Sequence, residues 1–260
     1  MPSAAPRSLT LTALESLPLV QRGDDLAALL ADALQREGLG LTAADVVVVA
    51  QKIVSKAEGR TVDLATIKAS RRAVVLAART RKDARLVQLI LNESKQVLRV
   101  GREVIIVEHR NGFILANAGI DQSNVGPDDP DNHALLLPAN CDLSARRLRA
   151  GLRSRCGVAP GVLIIDSIGR AWRRGTIGQA LGAAGLTALA DLRGDPDLFG
   201  RALRSTEVGS IDELAAAASI LMGQAGERRP AVIVRGFPVL AANGAGAVTL
   251  QRPEDEDMFR

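Results

Sequence analysis

Aromatic residues are almost missing from this sequence of 260 residues. It contains no tyrosine, one tryptophan and four phenylalanines, although 47% of its residues are hydrophobic. The interior must therefore be packed with aliphatic side chains. Proteins that hold single-stranded nucleic acid stack its bases on aromatic rings and line the strand with dense positive charge. Here the net charge is only +4 and rings are scarce, so a nucleic-acid partner is not expected.

Cysteines and long apolar runs are equally scarce. The two cysteines, Cys141 and Cys156, form no CxxC motif and have no neighbouring Cys or His pair, which argues against a zinc site and a disulfide scaffold. No stretch approaches the roughly 20 apolar residues that a membrane-spanning helix needs. The N-terminal residues also lack the apolar segment of a signal peptide. We therefore expect a cytoplasmic protein with reduced thiols that does not contact a membrane.

The motifs of several common enzyme classes are absent as well. There is no GxxxxGK[ST] P-loop, no GxSxG nucleophile elbow and no Cys/His catalytic signature. The string GLGLTA at residues 38–43 precedes a predicted strand, whereas a dinucleotide fingerprint follows one. His109 and His133, the two histidines, share no metal-ligand spacing. These absences argue against a P-loop nucleotide site and against covalent hydrolase chemistry.

Hydrophobic periodicity predicts helices and strands in mixed order. Strands are predicted at 45–54, 162–165 and 231–237, with a hairpin at 103–120 around Asn111-Gly112. Helices are predicted from Asp24 to Gly38, within 65–98, from Asp195-Pro196 onward and behind a Ser210–Glu213 capping box, and the glycine-rich segment 175–185 predicts a turn before a closely packed helix. Because hairpins interrupt the alternation, the α+β class is preferred to a doubly wound sheet. The length fits a single domain, residues 1–260, which can comprise two lobes.

Two of the predicted strands are followed by carboxylates. Asp121 lies in ANAGIDQSN behind the hairpin, and Asp166 follows the apolar run that ends at Ile165. Each has hydroxyl or amide oxygens beside it, and such hard ligands suit Mg²⁺ or Mn²⁺. The alternative is that Asp121 forms an Asx turn and Asp166 caps a helix.

Basic residues follow a buried strand and predict a phosphate-binding site. Lys52 and Lys56 lie four residues apart, and Arg60, Arg170 and Arg173 are further candidates for the same site, with a solvated basic rim as the alternative.

Two other features leave their role open. Trp172 lies among arginines and is either a stacking surface for a ligand or a filler of the core. Asp128, Asp129 and Asp131 are interpreted as a solvated, mobile loop in preference to another cation site.

Several long strings together resemble the coenzyme F-420-0:L-glutamate ligase family. They are IVSKAEGR (53–60), NGFILANAGIDQSNVG (111–126), LLLPANCDLSARRLRAGL (135–152), GVLIIDSIGRAWRRGTIGQALGAAGL (161–186) and SIDELAAAASILMGQ (210–224), followed by VIVRGF (232–237). The resemblance runs from about residue 16 to the C-terminal tail. It outweighs the alternative in which Asp121 and Asp166 merely shape turns.

The resemblance implies an α+β fold without a P-loop and an intertwined homodimer with the nucleotide near the subunit interface. It also implies a ligase that uses GTP and two Mg²⁺ or Mn²⁺ ions, with K⁺ as a further candidate cofactor. Such a ligase adds L-glutamate to the phospholactyl carboxylate of a deazaflavin coenzyme precursor through an acyl phosphate and releases GDP and phosphate. It then extends the product through γ-linked glutamates.

The resemblance further assigns roles to residues. Asp121 and Asp166 look like ligands of one metal ion, and Ser167 and Gln224 like ligands of a second. Predicted nucleotide contacts are Leu17, Pro18, Leu19, Val20, Lys52, Lys56 and Asn124. Predicted catalytic residues are Asp121, Asp166, Lys56 and Arg170. Family members often have serine where this chain has Gln51, so no nucleotide contact is carried over to that position.

Some relatives carry a flavin-binding nitroreductase domain behind the ligase domain. Because the sequence stops at Arg260, that second activity is not expected here. Two other functions stay open from the sequence. One is a nucleotide-dependent ligase that acts on another acidic acceptor, such as a folate, and the other is a non-catalytic GTP-binding protein.

Overall fold

The structure is a computed structural model that describes residues 8–125, 132–238 and 244–258. Its strands are β1 (Thr10–Ala13), β2 (Val46–Ala50), β3 (Thr61–Asp63), β4 (Ser94–Gly101), β5 (Val104–His109), β6 (Ile114–Ala116), β7 (His133–Leu135), β8 (Gly161–Gly169), β9 (Thr176–Ala184), β10 (Ala190–Asp191), β11 (Glu207–Val208) and β12 (Ala231–Arg235). Its α-helices are α1 (Leu26–Arg36), α2 (Gln51–Ala57), α3 (Arg71–Thr80), α4 (Ala84–Asn92), α5 (Cys141–Cys156) and α6 (Ser210–Met222). Short 3₁₀ helices lie at Leu64–Thr66, Asn117–Gly119, Ala247–Leu250 and Glu254–Glu256.

A five-stranded mixed sheet forms the centre of the larger lobe. Its strand order is β1-β12-β2-β8-β9, in which β2 and β8 are parallel and the other pairs are antiparallel. The apolar runs of β2 and β8 are buried on both faces of the sheet. Such continuous β-branched and aliphatic runs are typical of strands that lie between helices. The predicted α+β class with mixed sheets is therefore confirmed.

Helices cover both faces of this sheet. On one face, α1 and α5 bury leucines such as Leu30, Leu34 and Leu152 against the strands. On the other face, α6 buries Ile211 and Leu214. Each fully buried side chain of this size contributes about 1.5–3 kcal/mol to folding. The sheet is thus fixed from both sides and can hold the ends of its strands rigidly.

The glycine-rich segment 175–185 was predicted to be a turn followed by a helix, and this is wrong because most of it forms β9. A Cβ atom at Gly178 would clash with the Ala215 carbonyl of α6, and one at Gly182 would clash with the Cys141 backbone of α5. A bulge at Ile164/Ile165 shifts the pairing of β8 and β9 between these two glycines. The glycines therefore let helices approach the same strand from opposite faces.

The smaller lobe contains the antiparallel sheet β4-β5-β6, packed against α3 and α4. The predicted hairpin is confirmed, since β5 and β6 pair across a turn in which Gly112 has a φ of 89°. The helical and strand content expected within 65–98 is also present. The two-stranded pair β3-β7 lies between this lobe and α2.

Three local predictions are wrong. The strand predicted at 45–54 ends at Ala50, where α2 begins, because a strand and a short buried helix have the same apolar composition. Asp195-Pro196 opens an irregular turn within the β10–β11 connection and no helix follows it. The Ser210–Glu213 capping box is not formed, since Gly209 is the N-cap of α6.

The aspartate cap of α1 is confirmed, and one expectation lies outside the described residues. Helix α1 starts behind an aspartate cap, Asp25, and both cysteines are free thiols. Among the described residues, no helix is both long enough and apolar enough to cross a membrane. The acidic loop with Asp128, Asp129 and Asp131 falls in the part of the chain that the structure does not describe.

Candidate active site

The candidate site lies at the carboxyl end of the parallel strands β2 and β8. In the β2–β8 register, Ala50 is opposite Ile165 in the last pair of the ladder. The next residue of each strand, Gln51 and Asp166, therefore lies where the parallel pairing ends. Helix α2 begins at Gln51 and carries Lys52 and Lys56 one turn apart. The sequence predicted that a strand ends at Asp166. This is wrong, because β8 continues to Gly169 in its pairing with β9. The parallel register thus brings a carboxylate and the start of a lysine-bearing helix together.

Asp121 reaches this site from the smaller lobe. Its backbone forms a two-way hydrogen-bonded bridge with Leu135, with N–O distances of 3.0 and 2.7 Å. Its carboxylate lies 2.5 Å from the Lys52 ammonium and accepts hydrogen bonds from the Ser123 N–H at 2.6 Å and the Ser123 hydroxyl at 2.8 Å. Burial acts to raise the pKa of Asp121, but Lys52 and Ser123 lower it by more. Asp121 is therefore held in its charged form.

Asp166 has the opposite shift. Burial raises the pKa of Asp166 to about 6, and the negative charge of Asp121 adds to the rise. The Ser167 N–H, Lys52 and Gln51 act in the other direction. The two aspartates, which are 45 positions apart in sequence, thus lie within electrostatic reach of each other, as the metal hypothesis requires. A bound cation would favour the ionised form of both.

The two lysines fix the loop that carries Asp121. Lys52 donates to the Ser123 carbonyl and hydroxyl, and Lys56 donates to the Asn124 carbonyl at 2.6 Å. Burial lowers the pKa of Lys56, and the charge of Lys52 lowers it further. Asn124 has a left-handed φ of 55° and donates through Nδ2 to the Ala225 carbonyl, next to the exposed Gln224. The structure therefore brings four predicted site residues, Lys52, Lys56, Asp121 and Asn124, together and places Gln224 beside them.

Three arginines, Arg60, Arg170 and Arg173, were predicted to converge on the phosphate site, but not all of them do. Arg60 donates to the Leu137 carbonyl and pairs with Glu93 at 2.7 Å, so its guanidinium is directed into the smaller lobe and the hypothesis that it joins the phosphate site is wrong. Arg170 donates to the Gly175 carbonyl across the β8–β9 turn. Arg173 is exposed on the same turn. The catalytic role of Arg170 stays a prediction.

The stretch from Leu17 to Val20 divides between core and surface. Leu17 and Val20 are buried with α1 and α5, whereas Pro18 and Leu19 are exposed. The turn that follows bonds to the end of α2 through the Gly23 N–H and the Ala57 carbonyl, which are 2.9 Å apart. The stretch is therefore anchored near Lys56, and only its exposed half is free to meet a nucleotide.

The donor set at the site fits a hard divalent cation. Within the described ranges, no group of three or more His, Cys, Asp or Glu side chains converges on one point. An ion would therefore rest on Asp121 and Asp166, on neutral oxygens such as Ser167, and on water or substrate phosphates. This mixture is typical of Mg²⁺ and Mn²⁺ sites that act on phosphates. The Lys52 ammonium, surrounded by Asp121 and Ser123 oxygens, shows that this group of oxygens already attracts positive charge.

Gln51 is a site residue that the sequence did not identify. It is 1% exposed, and its Oε1 accepts a hydrogen bond from the Ser55 hydroxyl at 2.9 Å. Its Nε2 lies close enough to Asp166 to lower that group's pKa, yet it makes no hydrogen bond of standard geometry to any described residue. A polar residue directly behind a buried β-branched run is the pattern that marks it.

In this mixed α+β fold, two aspartates within electrostatic reach of each other lie with two lysines where the parallel pairing of β2 and β8 ends. Such a combination of groups is typical of proteins that bind anionic ligands through a metal ion. The sequence model for the family F420-0:Gamma-glutamyl ligase matches residues 15–236. The chain belongs to this family, and the resemblance found in the sequence is confirmed.

Relatives align along most of the chain. A protein of Methanothermobacter thermautotrophicus named Coenzyme F420:L-glutamate ligase is 46% identical over 254 residues, covering 97% of this chain and 99% of the relative. Proteins of the same name from Methanopyrus kandleri and Archaeoglobus fulgidus are 44% and 41% identical, and their alignments cover 95% of this chain. The similarity therefore includes both lobes.

Proposed function

We propose that this protein is a GTP-dependent ligase that joins L-glutamate to the deazaflavin coenzyme precursor F420-0. Membership of the F420-0:Gamma-glutamyl ligase family supports the reaction class, and the relatives' names support the acceptor and the amino acid. The observation that carries the proposal is that Asp121, which pairs with Lys52 at 2.5 Å, lies within electrostatic reach of Asp166, while Lys56 bonds to the same loop through the Asn124 carbonyl. This arrangement suits the binding of a metal-bound triphosphate.

The reaction that we propose has two steps. An oxygen of the acceptor carboxylate attacks the γ-phosphorus of GTP, GDP leaves, and an acyl phosphate forms. The amino nitrogen of glutamate then attacks the acyl carbon, phosphate leaves with the electrons of the C–O bond, and the nitrogen loses a proton to give the amide. Repetition on the γ-carboxylate of the product would give the γ-linked chain.

The residues of this chain would contribute binding and charge. Two Mg²⁺ or Mn²⁺ ions, held by Asp121 and Asp166 with Ser167 and Gln224, would offset the charge of the phosphates. Lys52 and Lys56 would neutralise phosphate oxygens, while Asn124 and the exposed part of the Leu17–Val20 stretch would position the nucleotide. A single well-placed contact to developing charge is worth about 3–4 kcal/mol in such sites.

The proposal includes a homodimer and leaves the use of K⁺ as a further requirement to be measured. A second candidate function is ligation of an amino acid to another acidic acceptor such as a folate. The carboxylates and lysines described here would contact phosphate and metal, and they would not select the acceptor. A third, non-catalytic GTP binding, is less well supported, since Asp121, Asp166, Ser167 and Lys56 are present together.

Mass spectrometry of the reaction product tests the function. The purified chain is incubated with F420-0, GTP, Mn²⁺ and glutamate, and we expect acceptor masses increased by one or more glutamyl units, together with GDP. Parallel reactions replace F420-0 by a folate and GTP by ATP. Product with the folate alone would overturn the acceptor, and product with ATP alone would overturn the nucleotide. Mn²⁺-dependent GTP binding without product from any acceptor would favour the non-catalytic function.

A further inference from the structure

The turn between β8 and β9 presents the single tryptophan of the chain to solvent. Trp172 is 88% exposed, so the alternative in which it fills the core is excluded. A large ring left in water costs hydrophobic free energy unless a partner covers it for part of the protein's working cycle. The question is which partner this position selects.

The backbone of the turn holds the ring outward. Trp172 has a left-handed φ of 65°, a conformation in which glycine or asparagine is favoured over a bulky aromatic residue. The Arg170 guanidinium closes the turn by donating to the Gly175 carbonyl at 3.2 Å. Nothing in the turn itself therefore calls for an indole. A disfavoured residue in a strained conformation beside a site is a feature that function explains better than folding does.

The charged residues next to Trp172 in the sequence are all positive. Arg173 and Arg174 follow Trp172 and are exposed, and no Asp or Glu occurs between Ser167 and Gly178. An indole flanked by guanidinium groups suits a flat aromatic ligand that also carries negative charge.

The proposed reaction has two ligands with flat rings, GTP with its guanine and the acceptor with its deazaflavin. The position of the β8–β9 turn favours the acceptor. Strands β2 and β9 flank β8 on opposite sides, so the β2–α2 junction and the β8–β9 turn occupy different positions across the sheet. The predicted triphosphate contacts, Lys52, Lys56 and Asn124, lie on the α2 side. Trp172 is five positions beyond Ser167, up to roughly 16 Å at strand rise. A ligand that reaches both must be elongated, with its ring and its reacting carboxylate at opposite ends.

We propose that Trp172 is the surface on which the acceptor's heteroaromatic ring stacks, with Arg173 and Arg174 facing the acceptor's negative charge. This inference rests on the proposed function, in which the acceptor carboxylate reacts beside Asp166 and Ser167. Trp172 then sets the affinity for the acceptor, and the nucleotide binds independently of it.

The lone tryptophan makes the test direct. Because the chain has no tyrosine, its indole fluorescence reports Trp172 alone. F420-0, GTP with Mn²⁺, and phospholactate, which lacks the ring, are titrated separately into the full chain. We expect saturable quenching by F420-0 and none by phospholactate or GTP. Quenching by GTP but not by F420-0 would assign the ring to guanine and overturn the proposal.

Quenching of indole fluorescence results either from stacking or from energy transfer to a ring bound elsewhere. Calorimetric titration of matched variants distinguishes the two. Trp172→Phe keeps a ring, whereas Trp172→Leu keeps apolar bulk without one, and both accept the same backbone strain. We expect Trp172→Leu to raise the acceptor Kd and KM about 5- to 100-fold, with Trp172→Phe near the parent and with kcat and the KM for GTP unchanged. An unchanged acceptor Kd in Trp172→Leu would refute the proposal while leaving ligation intact. If the chain ligates glutamate to no acceptor but still binds F420-0 in a way that depends on Trp172, only the proposed function is refuted.

Discussion

Two aspartates of the same site have pKa values displaced in opposite directions. The Asp121 carboxylate is stabilised in its charged form by Lys52 and Ser123, whereas burial and the charge of Asp121 make ionisation of Asp166 harder. A shift of one pKa unit corresponds to about 1.4 kcal/mol between the two protonation states. A cation that contacts both carboxylates would recover the cost of ionising Asp166. The two opposite pKa shifts support the proposal that a cation binds at these two carboxylates.

Asp166→Asn removes one of these charges with little change of shape. We expect Mn²⁺ affinity to fall by at least 10-fold, and ligation about 100- to 1000-fold, because an electrostatic contact to the reacting phosphate is lost. Calorimetric Mn²⁺ titration and the product assay measure the two effects. Asp32→Asn on the exposed face of α1 is the matched control and should leave both unchanged. Undiminished Mn²⁺ binding and ligation in Asp166→Asn would show that the metal site is misassigned.

At the scale of elements, close helix–strand contact depends on β9. Gly178 and Gly182 let α6 and α5 approach this edge strand, and Asp212 and Asp142 then accept hydrogen bonds from the N–H groups of Ala180 and Ala183 at 2.9 and 2.8 Å. These helix carboxylates satisfy strand N–H groups beside the bulge. The arrangement holds β8, and with it Asp166, from the side opposite β2.

Gly178→Ala tests this packing. The added methyl group would collide with the Ala215 carbonyl, which is backbone and cannot rotate away. We expect the free energy of unfolding to fall by about 1–3 kcal/mol, as for other overpacked sites. Urea denaturation followed by circular dichroism measures it. Gly40→Ala, where a Cβ atom meets no neighbour and φ is not positive, should change stability little. Equal stability of the two variants would contradict the packing described here.

An ion pair between the buried Asp45 and the exposed Arg235 joins the residue before β2 to the end of β12. Asp45 is fully buried, accepts a hydrogen bond from the Thr42 N–H at 2.7 Å, and is bound at both oxygens by the Arg235 guanidinium at 2.8 and 2.9 Å. Burial acts to raise the pKa of Asp45, but Arg235 and Thr42 lower it below its ordinary value of 3.8. The pair therefore stabilises the sheet while Asp45 is ionised.

This linkage gives a pH prediction. Because the folded pKa is depressed, the stabilisation is fully present above the unfolded pKa and is lost as the pH falls through the folded value. Asp45→Asn should reduce the free energy of unfolding at neutral pH by about 1.5–3 kcal/mol, the range for hydrogen bonds to charged groups. The difference from the parent should shrink below about pH 4. Denaturation at several pH values measures it, and a difference that stays constant down to pH 2 would contradict the assignment.

At the scale of the whole molecule, the β10–β11 connection exposes large apolar side chains. Leu198 and Phe199 are 98% and 90% exposed at its tip. Two adjacent exposed apolar side chains of this size are candidates for burial against another chain. We take this tip as part of the surface on which the proposed homodimer forms.

Phe199→Ser should weaken self-association by removing an apolar anchor. We expect sedimentation equilibrium to show a dissociation constant at least 10-fold above that of the parent chain, with the monomer fold intact by circular dichroism. Ile220→Ser, an exposed apolar position on α6, is the matched control and should leave the dissociation constant unchanged. A parent that stays monomeric at micromolar concentration would refute the dimer itself.

The fold class and the family could be predicted from the amino-acid sequence, and both are confirmed. Buried strands such as β2, the Asn111-Gly112 hairpin and the Asp25-capped helix follow from local patterning, which is why they could be predicted. Asp121, Asp166, Lys52 and Lys56 were candidates because they follow apolar runs, but the resemblance to the family assigned their roles, and those roles stay predictions.

The packing of these helices and strands against one another could not be predicted from the sequence and follows from the three-dimensional structure. The strand β9 and the helix α2 were misassigned because their form depends on neighbours that are distant in sequence, namely α5 and α6 for β9 and the β8 register for α2. Neighbours that are distant in sequence also determine that Arg60 pairs with Glu93, that Gln51 lies close to Asp166 and that Trp172 is exposed to solvent. Composition and spacing set which groups are present, but the direction of a side chain depends on packing between elements that no local pattern contains.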